Sequence, residues 1–243
     1  MDLLRLQAVE KTYWRGAAEI LALREVTLAV NAREVVAIYG ERGAGKTTLL
    51  KVAAGFARPD SGSVRFRGDE LGALSRRRLA RVHREQLGWV DRSGPHSAEL
   101  PMRVHLALAL YRELGPADAE RRAVRALARV GAADCAGERW DDLSDTARAL
   151  VGLANALVRE PQLLVLDDPL AGLGIVDREH VLGLLREAAE DGGLGVLLAV
   201  PDMPSLLHAH HVRALSRGRL LAPSDDTDAP GAVLQFPRRR RTA

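Results

Sequence analysis

Gly40-Glu41-Arg42-Gly43-Ala44-Gly45-Lys46-Thr47 decides how the rest of the chain is read. It fits the spacing G-x-x-x-x-G-K-[ST]. The run before it, Val35–Tyr39, is continuously apolar, as a strand covered on both faces requires. The stretch after it, Lys46–Ala54, has helical spacing and stops at Gly55, a residue suited to ending a helix. Strand, glycine turn and helix are the context in which this spacing makes a phosphate cradle. The glycines let the backbone curl so that successive N–H groups converge on phosphate oxygens. The helix that follows adds its positive N-terminal end. Lys46 is placed to reach the β- and γ-phosphates of a nucleotide, and Thr47 to hold Mg²⁺. Glu41, Arg42, Ala44 and Thr48 complete the expected cradle.

Leu163-Leu164-Val165-Leu166-Asp167 is a second apolar run, and it ends in a carboxylate. Beside a phosphate cradle such an acid orients Mg²⁺ through water, so Asp167 joins Thr47 as an expected metal residue. Loose alternation predicts half-buried strands over Leu3–Val9 and Leu21–Val30, and further strands over Ser63–Arg67 and Leu87–Val90. A charged helix is predicted over Ser75–Glu85. After Asp91 the texture turns helical, over Val104–Leu114, Asp118–Val130 and Asp145–Val158, with no strand among them. A helix over Asp177–Glu190, a strand over Val196–Val200 and a last pair, Val212–Leu215 and Arg219–Leu221, complete the pattern. This order predicts an α/β core carrying a helical subdomain. The expected division is a core of residues 1–90 and 159–222, a helical subdomain over 91–158, and a flexible basic tail over 223–243.

Composition narrows the function classes. The 243 residues are 47% hydrophobic and 28% charged, ordinary globular usage that excludes a wholly disordered chain. One cysteine, Cys135, excludes a disulfide framework and suits a reducing compartment. The formal charge is +3, but Arg238–Arg241 supply four positive charges in one run, so the body is close to neutral. A near-neutral body argues against a nucleic-acid partner, which needs a basic stripe on the folded domain. Lys11, Lys46 and Lys51 are the only lysines beside many arginines, which raises the information in Lys46. No run reaches the ~18 apolar residues of a membrane span. Asp2, Arg5, Glu10 and Lys11 interrupt the first residues, against a signal peptide. The chain is expected in the cytoplasm unless a partner recruits it to a membrane.

With these motifs in register, the chain from residue 3 to about 222 resembles the ATP-binding subunit of an ABC transporter, a P-loop NTPase of the ABC ATPase type. Glu10-Lys11-Thr12-Tyr13, Thr47-Thr48-Leu49-Leu50 and Leu74–Gly88 are similar to the branch that serves lipoprotein release, MacB-type export and FtsX-type permeases. The resemblance implies ATP and Mg²⁺ as cofactors, Tyr13 as the residue stacking on adenine, and Asp168 as the acid beside the attacking water. It implies a membrane permease and a second ATP-binding subunit, identical or homologous, as partners. It also implies a peripheral location on the inner face of the cell membrane. Leu100-Pro101-Met102-Arg103-Val104 falls where the family docks a permease coupling helix, and Leu100 and Met102 are expected to be exposed there.

The resemblance also defines departures. The family signature LSGGQ stands here as Leu143-Ser144-Asp145-Thr146-Ala147, which lacks both glycines and reads as a helix N-cap at Ser144. The acid pair Asp-Glu is Asp167-Asp168. The switch histidine falls at Pro201, the switch glutamine at Arg92 and the aspartate of the following loop at Gly174. The pattern predicts ATP binding with weak or absent hydrolysis. An active hydrolysing subunit and a non-transport regulatory ATP-binding protein are the alternatives. His208, His210 and His211 are expected as solvated histidines at a helix end, and Cys135 as a small buried residue. Arg238–Arg241 is expected to be a solvated tail end, with contact to anionic lipid as the alternative.

Overall fold

The structure, a computed structural model, describes residues 2–91, 93, 99–200 and 208–221. Strands β1 (Asp2–Arg15) and β2 (Ala18–Asn31) form an antiparallel hairpin, and β1 also pairs with β4 (Ser61–Phe66), which carries the short β5 (Asp69–Glu70). A second sheet contains β3 (Val35–Tyr39), β6 (Leu87–Val90), β7 (Leu163–Asp167), β8 (Gly195–Val200), β9 (His211–Ser216) and β10 (Arg219–Leu220). Its order is β10-β9-β3-β8-β7-β6. All neighbours in it are parallel except β9 and β10. The helices are α1 (Lys46–Ala53), α2 (Arg76–Glu85), α3 (Met102–Leu108), α4 (Pro116–Arg129), α5 (Asp145–Leu157) and α6 (Ile175–Gly192).

The central strands read as unbroken apolar runs because both of their faces are covered. Val35, Ala37, Leu164, Leu166, Val196 and Leu198 join one apolar cluster, which extends into α3 to α6 through Leu106, Leu127, Leu153 and Leu185. The intervening residues Val36, Ile38, Leu163, Val165, Leu197 and Ala199 point the other way, into a cluster with α1 and the β1–β2 hairpin. Burying a leucine on either side is worth roughly 1.5–3 kcal/mol, so the parallel sheet is held from both faces.

The hairpin is longer than the sequence pattern predicts. Register shifts occur between Leu6 and Val9 and again between Val9 and Lys11, and Ala8 and Glu25 take φ values of 46° and 50°. Each inserted residue breaks the period of two, so the alternation stops near Val9 while the pairing runs on to Arg15. The helix expected over Val104–Leu114 is also different. It is α3 at Met102–Leu108, followed by turns with bonds such as Leu110 N–H to the Ala107 carbonyl. The remaining strands and helices fall within a few residues of their predicted positions. The tail over 223–243 lies outside the described residues.

The histidine expectation is corrected. The residues before His208 lie outside the described ones, and His210 is largely buried beside β3. The Val35 N–H donates to His210 Nδ1 at 2.9 Å, and His210 Nε2 faces Glu190 at 3.2 Å. His208 and His211 pair with Glu179 and Glu34. These pairs tie β9 to β3 and α6 and make no metal cluster among the described residues. Burial pushes the Glu190 carboxyl up, but the Arg186 hydrogen bond and charge, joined by His210, hold it below its ordinary value. A depressed acid stabilises the fold above its unfolded pKa and loses that contribution as pH falls through the folded value. Glu190→Gln is therefore expected to cost about 0.5–1 kcal/mol at neutral pH, the range for a partly exposed pair. The difference should close below about pH 4. Urea denaturation at both pH values measures it, and an unchanged difference would contradict the assignment.

Candidate functional site

The turn between β3 and α1 is shaped by backbone crowding. A Cβ on Gly40 would lie 2.3 Å from the Leu215 carbonyl oxygen of β9. A Cβ on Gly45 would lie 2.5 Å from the Ala22 carbonyl oxygen of β2, and Gly45 also has φ 108°. Gly43 has φ 85° but open space around it. The Ala44 carbonyl accepts from Gly218 N–H at 2.9 Å, and Ala44 N–H donates to the Glu41 carbonyl at 3.1 Å. The cradle is thus pinned by β2, β9 and the β9–β10 turn. None of these neighbours is evident from the motif itself.

Lys46 opens α1 and folds back over the loop. Its Nζ donates to the Gly40 carbonyl and, at 3.0 Å, to the Glu41 carbonyl. Burial lowers its pKa, and the charges of Asp168 and Asp167 oppose that shift. The lysine is therefore partly desolvated. Thr47, the next residue, donates from Oγ1 to Asp167 Oδ1 at 3.1 Å. β7 carries Asp167 to this point because it lies beside β8, and β8 lies beside β3. The expected residues Gly40, Gly43, Gly45, Lys46, Thr47 and Asp167 are thus together at the C-terminal ends of the parallel strands β3 and β7. A hydroxyl beside a carboxylate is a hard-oxygen donor pair, which fits Mg²⁺. Glu41 and Arg42 are exposed at the loop tip, and Thr48 is half-buried.

Asp168 follows Asp167 with φ 54°, a left-handed conformation that Asp tolerates better than most residues. Tyr13 is 40% exposed on β1 opposite Ile20, two residues from Ala22, whose carbonyl abuts Gly45. Asp60 holds this part of β1 by accepting from Lys11 Nζ at 2.7 Å and from Thr12 N–H at 2.7 Å. Trp14 is 70% exposed beyond it.

The segment Leu143–Ala147 starts α5. Ser144 is the N-cap, its Oγ accepting from Ala147 N–H at 3.2 Å. Asp145 pairs with Arg148 at 3.6 Å, and Thr146 Oγ1 donates to Asp177 Oδ2 at 2.9 Å. The second tie, to the first turn of α6, has no signal in the local sequence because its partners are far apart in the chain. Arg92 and Pro201 lie outside the described residues. Gly174 is described, as the N-cap position of α6.

A cleft of about 450 Å³ lies between the end of β6 and the α3–α5 region, lined by Trp89, Asp91, His105, Trp140, Arg148 and Asn155 among others. Sequence reasoning missed it. The docking expectation at Met102 is corrected: Met102 is fully buried in the helical core. Met102 opens α3 and turns inward beside Leu106, so only Leu100 of the pair is partly accessible. Cys135 is half-buried, and burial pushes its thiol pKa up, which fits a packing residue.

The glycine geometry makes a selective prediction. Gly45→Ala combines a backbone clash with a positive φ, and is expected to cost about 2 kcal/mol or more and to distort the loop. Gly43→Ala has only the φ penalty, about 1–2 kcal/mol. Urea denaturation of both variants tests the ranking, and equal losses would contradict the pinning by Ala22.

Comparison with known proteins agrees with this geometry. A family model for ABC transporters matches residues 23–171. The chain is 33% identical over 232 residues to the macrolide export ATP-binding/permease protein MacB 1/2 of Paracoccus denitrificans, covering 95% of this chain and 34% of that one. It is 33% identical over 201 residues to the lipoprotein-releasing system ATP-binding protein LolD of Shewanella denitrificans, covering 82% of this chain and 86% of the relative. The chain spans about a third of the length of MacB and most of LolD. A dimeric post-hydrolysis structure of the ATP-binding cassette MJ0796, bound to ADP and Pi, superposes with a TM-score of 0.82. It is 24% identical and is covered over 96% of its length, with 89% of this chain, so the likeness is one of fold.

Proposed function

The chain belongs to the ABC transporter family, and we propose that it is an ATP-binding subunit that holds Mg-ATP in the loop Gly40–Thr47 but turns it over slowly. One observation carries the reading: Lys46, Thr47 and Asp167 are assembled, while the groups that act on the attacking water and on the γ-phosphate are altered. Tyr13 is proposed to stack on adenine, and Glu41, Arg42, Ala44 and Thr48 to border the phosphates. Thr47 and Asp167 would hold Mg²⁺, which when bound supplies charge neutralisation across the phosphates.

The chemistry follows from what each residue reaches. Lys46 and the loop N–H groups bind phosphate oxygen in the ground state and the transition state alike. Such uniform binding gives affinity with little gain in rate. Orientation of water falls to Asp168, one methylene shorter than the family glutamate. A displacement of about 1 Å at that point costs ~10²-fold. Pro201 offers no side-chain donor at the position of the switch histidine, and Arg92 replaces the switch glutamine. In a paired assembly, Ser144, Asp145 and Thr146 would face the partner's nucleotide. Asp145 brings a carboxylate, and Thr146 is tied to Asp177, where the family backbone approaches without side chains.

The proposed setting is a membrane transporter, with a second cassette and a permease as partners, on the inner face of the membrane. The relatives named as ATP-binding/permease proteins support it. Among the described residues no helix is long and apolar enough to cross a membrane. The division into a core of 1–90 and 159–222 and a helical part of 91–158 belongs to the same proposal. The cleft beside Trp89 and Trp140 is the proposed seat of a permease segment, and Asn155→Arg should fill it and break co-purification with that permease.

Mg-ATP at a hundredfold excess over Kd is expected to stabilise the chain by about 2.7 kcal/mol. Lys46→Ala should remove that stabilisation, and no thermal shift in the unmodified chain would end the ATP-binding reading. Phosphate release, with Lys46→Ala as the blank, is expected to stay well below ~1 s⁻¹, the low end of typical enzymes. Asp168→Glu alone should not restore it. Turnover at or above that rate would overturn the slow-hydrolysis reading and leave the binding reading intact.

A further inference from the structure

Helix α2 carries Arg76, Arg77, Arg78, Arg81 and Arg84 against a single acid, Glu85. Helix α4, four residues longer, balances four arginines with Asp118 and Glu120. Leu79 and Val82 of α2 pack inward on the sheet cluster, so the opposite face is the solvent face. Arg77, Arg81 and Arg84 occur at i, i+4 and i+7 and form one stripe along that face. The stripe is about 10 Å long. Arg84 pairs with Glu85 at 2.7 Å, and Arg78 reaches Asp69 at 3.5 Å. Among the described residues, Arg76, Arg77 and Arg81 have no ion pair.

Both flanks of the stripe extend its chemistry. On one side a groove of about 300 Å³ runs under the helix, bordered by Arg67, Arg78, Arg81 and Gln86 and by one acid, Asp69, among apolar residues. On the other side Phe56 is 48% exposed against His83, their ring centres 4.6 Å apart. Like charges one helical turn apart destabilise a helix in water. An array of anions in a plane would reverse that term, and an exposed aromatic beside basic residues suits a headgroup boundary.

We propose that the exposed face of α2 rests on the phosphate headgroups of an anionic phospholipid surface. Arg77 and Arg81 supply the long-range attraction. Arg67 and Arg78 receive a phosphate in the groove, and Phe56 meets the apolar boundary. Charge complementarity selects this occupant: the cations are spread along a helix face, as a plane of phosphates requires, instead of converging on one anion. The contact is independent of nucleotide turnover and goes beyond the ATP-binding reading.

The test uses the full chain and vesicles of phosphatidylglycerol mixed with phosphatidylcholine, with vesicles of phosphatidylcholine alone as reference. Co-sedimentation with the mixed vesicles is expected, with little on the reference, and it should weaken in high salt. The double variant Arg77→Gln, Arg81→Gln keeps helix propensity and should partition about tenfold or more weakly. A second variant with Arg238, Arg239, Arg240 and Arg241 all changed to Gln should keep most of the binding. The Mg-ATP thermal shift of the double variant should equal that of the parent, which shows that it is folded and separates this proposal from the nucleotide reading. Binding that follows the Arg238–Arg241 run, or that is equal on both vesicle types, overturns the proposal. A thermal shift with free glycerol phosphate and no vesicle binding overturns the lipid source. Loss of permease co-purification in the double variant, with vesicle binding unchanged, assigns the face to a protein partner and also overturns it.

Discussion

Two carbonyl oxygens set the shape of the site. The Leu215 and Ala22 carbonyls stand where side chains on Gly40 and Gly45 would have to be, so the loop between β3 and α1 is held by backbone on both sides. The loop cannot relax outward without breaking the Ala44–Gly218 hydrogen bond, and it cannot close without filling the space of the glycines. Everything polar in the cradle depends on this. Lys46 lies over the Gly40 and Glu41 carbonyls, and Thr47 meets Asp167, because the turn delivers them there. The two-sided apolar packing of the sheet supplies the rigidity behind it.

The site combines two kinds of residue with different physical demands. Ground-state binding of a phosphate needs convergent donors and a cation, and both demands fall on one short stretch of chain, Gly40–Thr47. Rate enhancement needs groups placed to about an ångström around water and the γ-phosphate. Those groups come from strand ends and loops far apart in the chain. Asp168, Asp145 and Thr146 stand at such places, and two of the three are tied into local structure: Asp145 by Arg148 and Thr146 by Asp177. Asp145 keeps its ion pair within α5, and Thr146 spends its hydroxyl proton on α6.

Motif and periodicity made the strand–loop–helix around Lys46, the Asp167 strand and the helical stretch before α5 legible without coordinates. These are local properties: a glycine spacing, an apolar run and a 3.6-residue repeat each leave a trace in a few adjacent residues. The Ser144 cap was equally legible, since the hydroxyl and the N–H it accepts from are three residues apart. The length of the β1–β2 hairpin was not, because its bulges at Ala8 and Glu25 interrupt the alternation that marks a strand.

Sequence by itself therefore determined the fold class, the phosphate cradle and the absence of family residues at Asp145, Thr146, Asp168 and Pro201. Tertiary structure decided which face each segment presents. It turned Met102 into the core, where an exposed contact was expected, because α3 begins two residues earlier than its pattern suggests and packs that first residue inward. It placed His210 against Val35 and Glu190, where a solvated ring was expected, because β9 runs beside β3 from a distant part of the chain. It also set Arg77 and Arg81 of α2 on an open surface. Burial and pairing are properties of contacts between residues remote in sequence, and one chain read without coordinates carries no record of which of those contacts form.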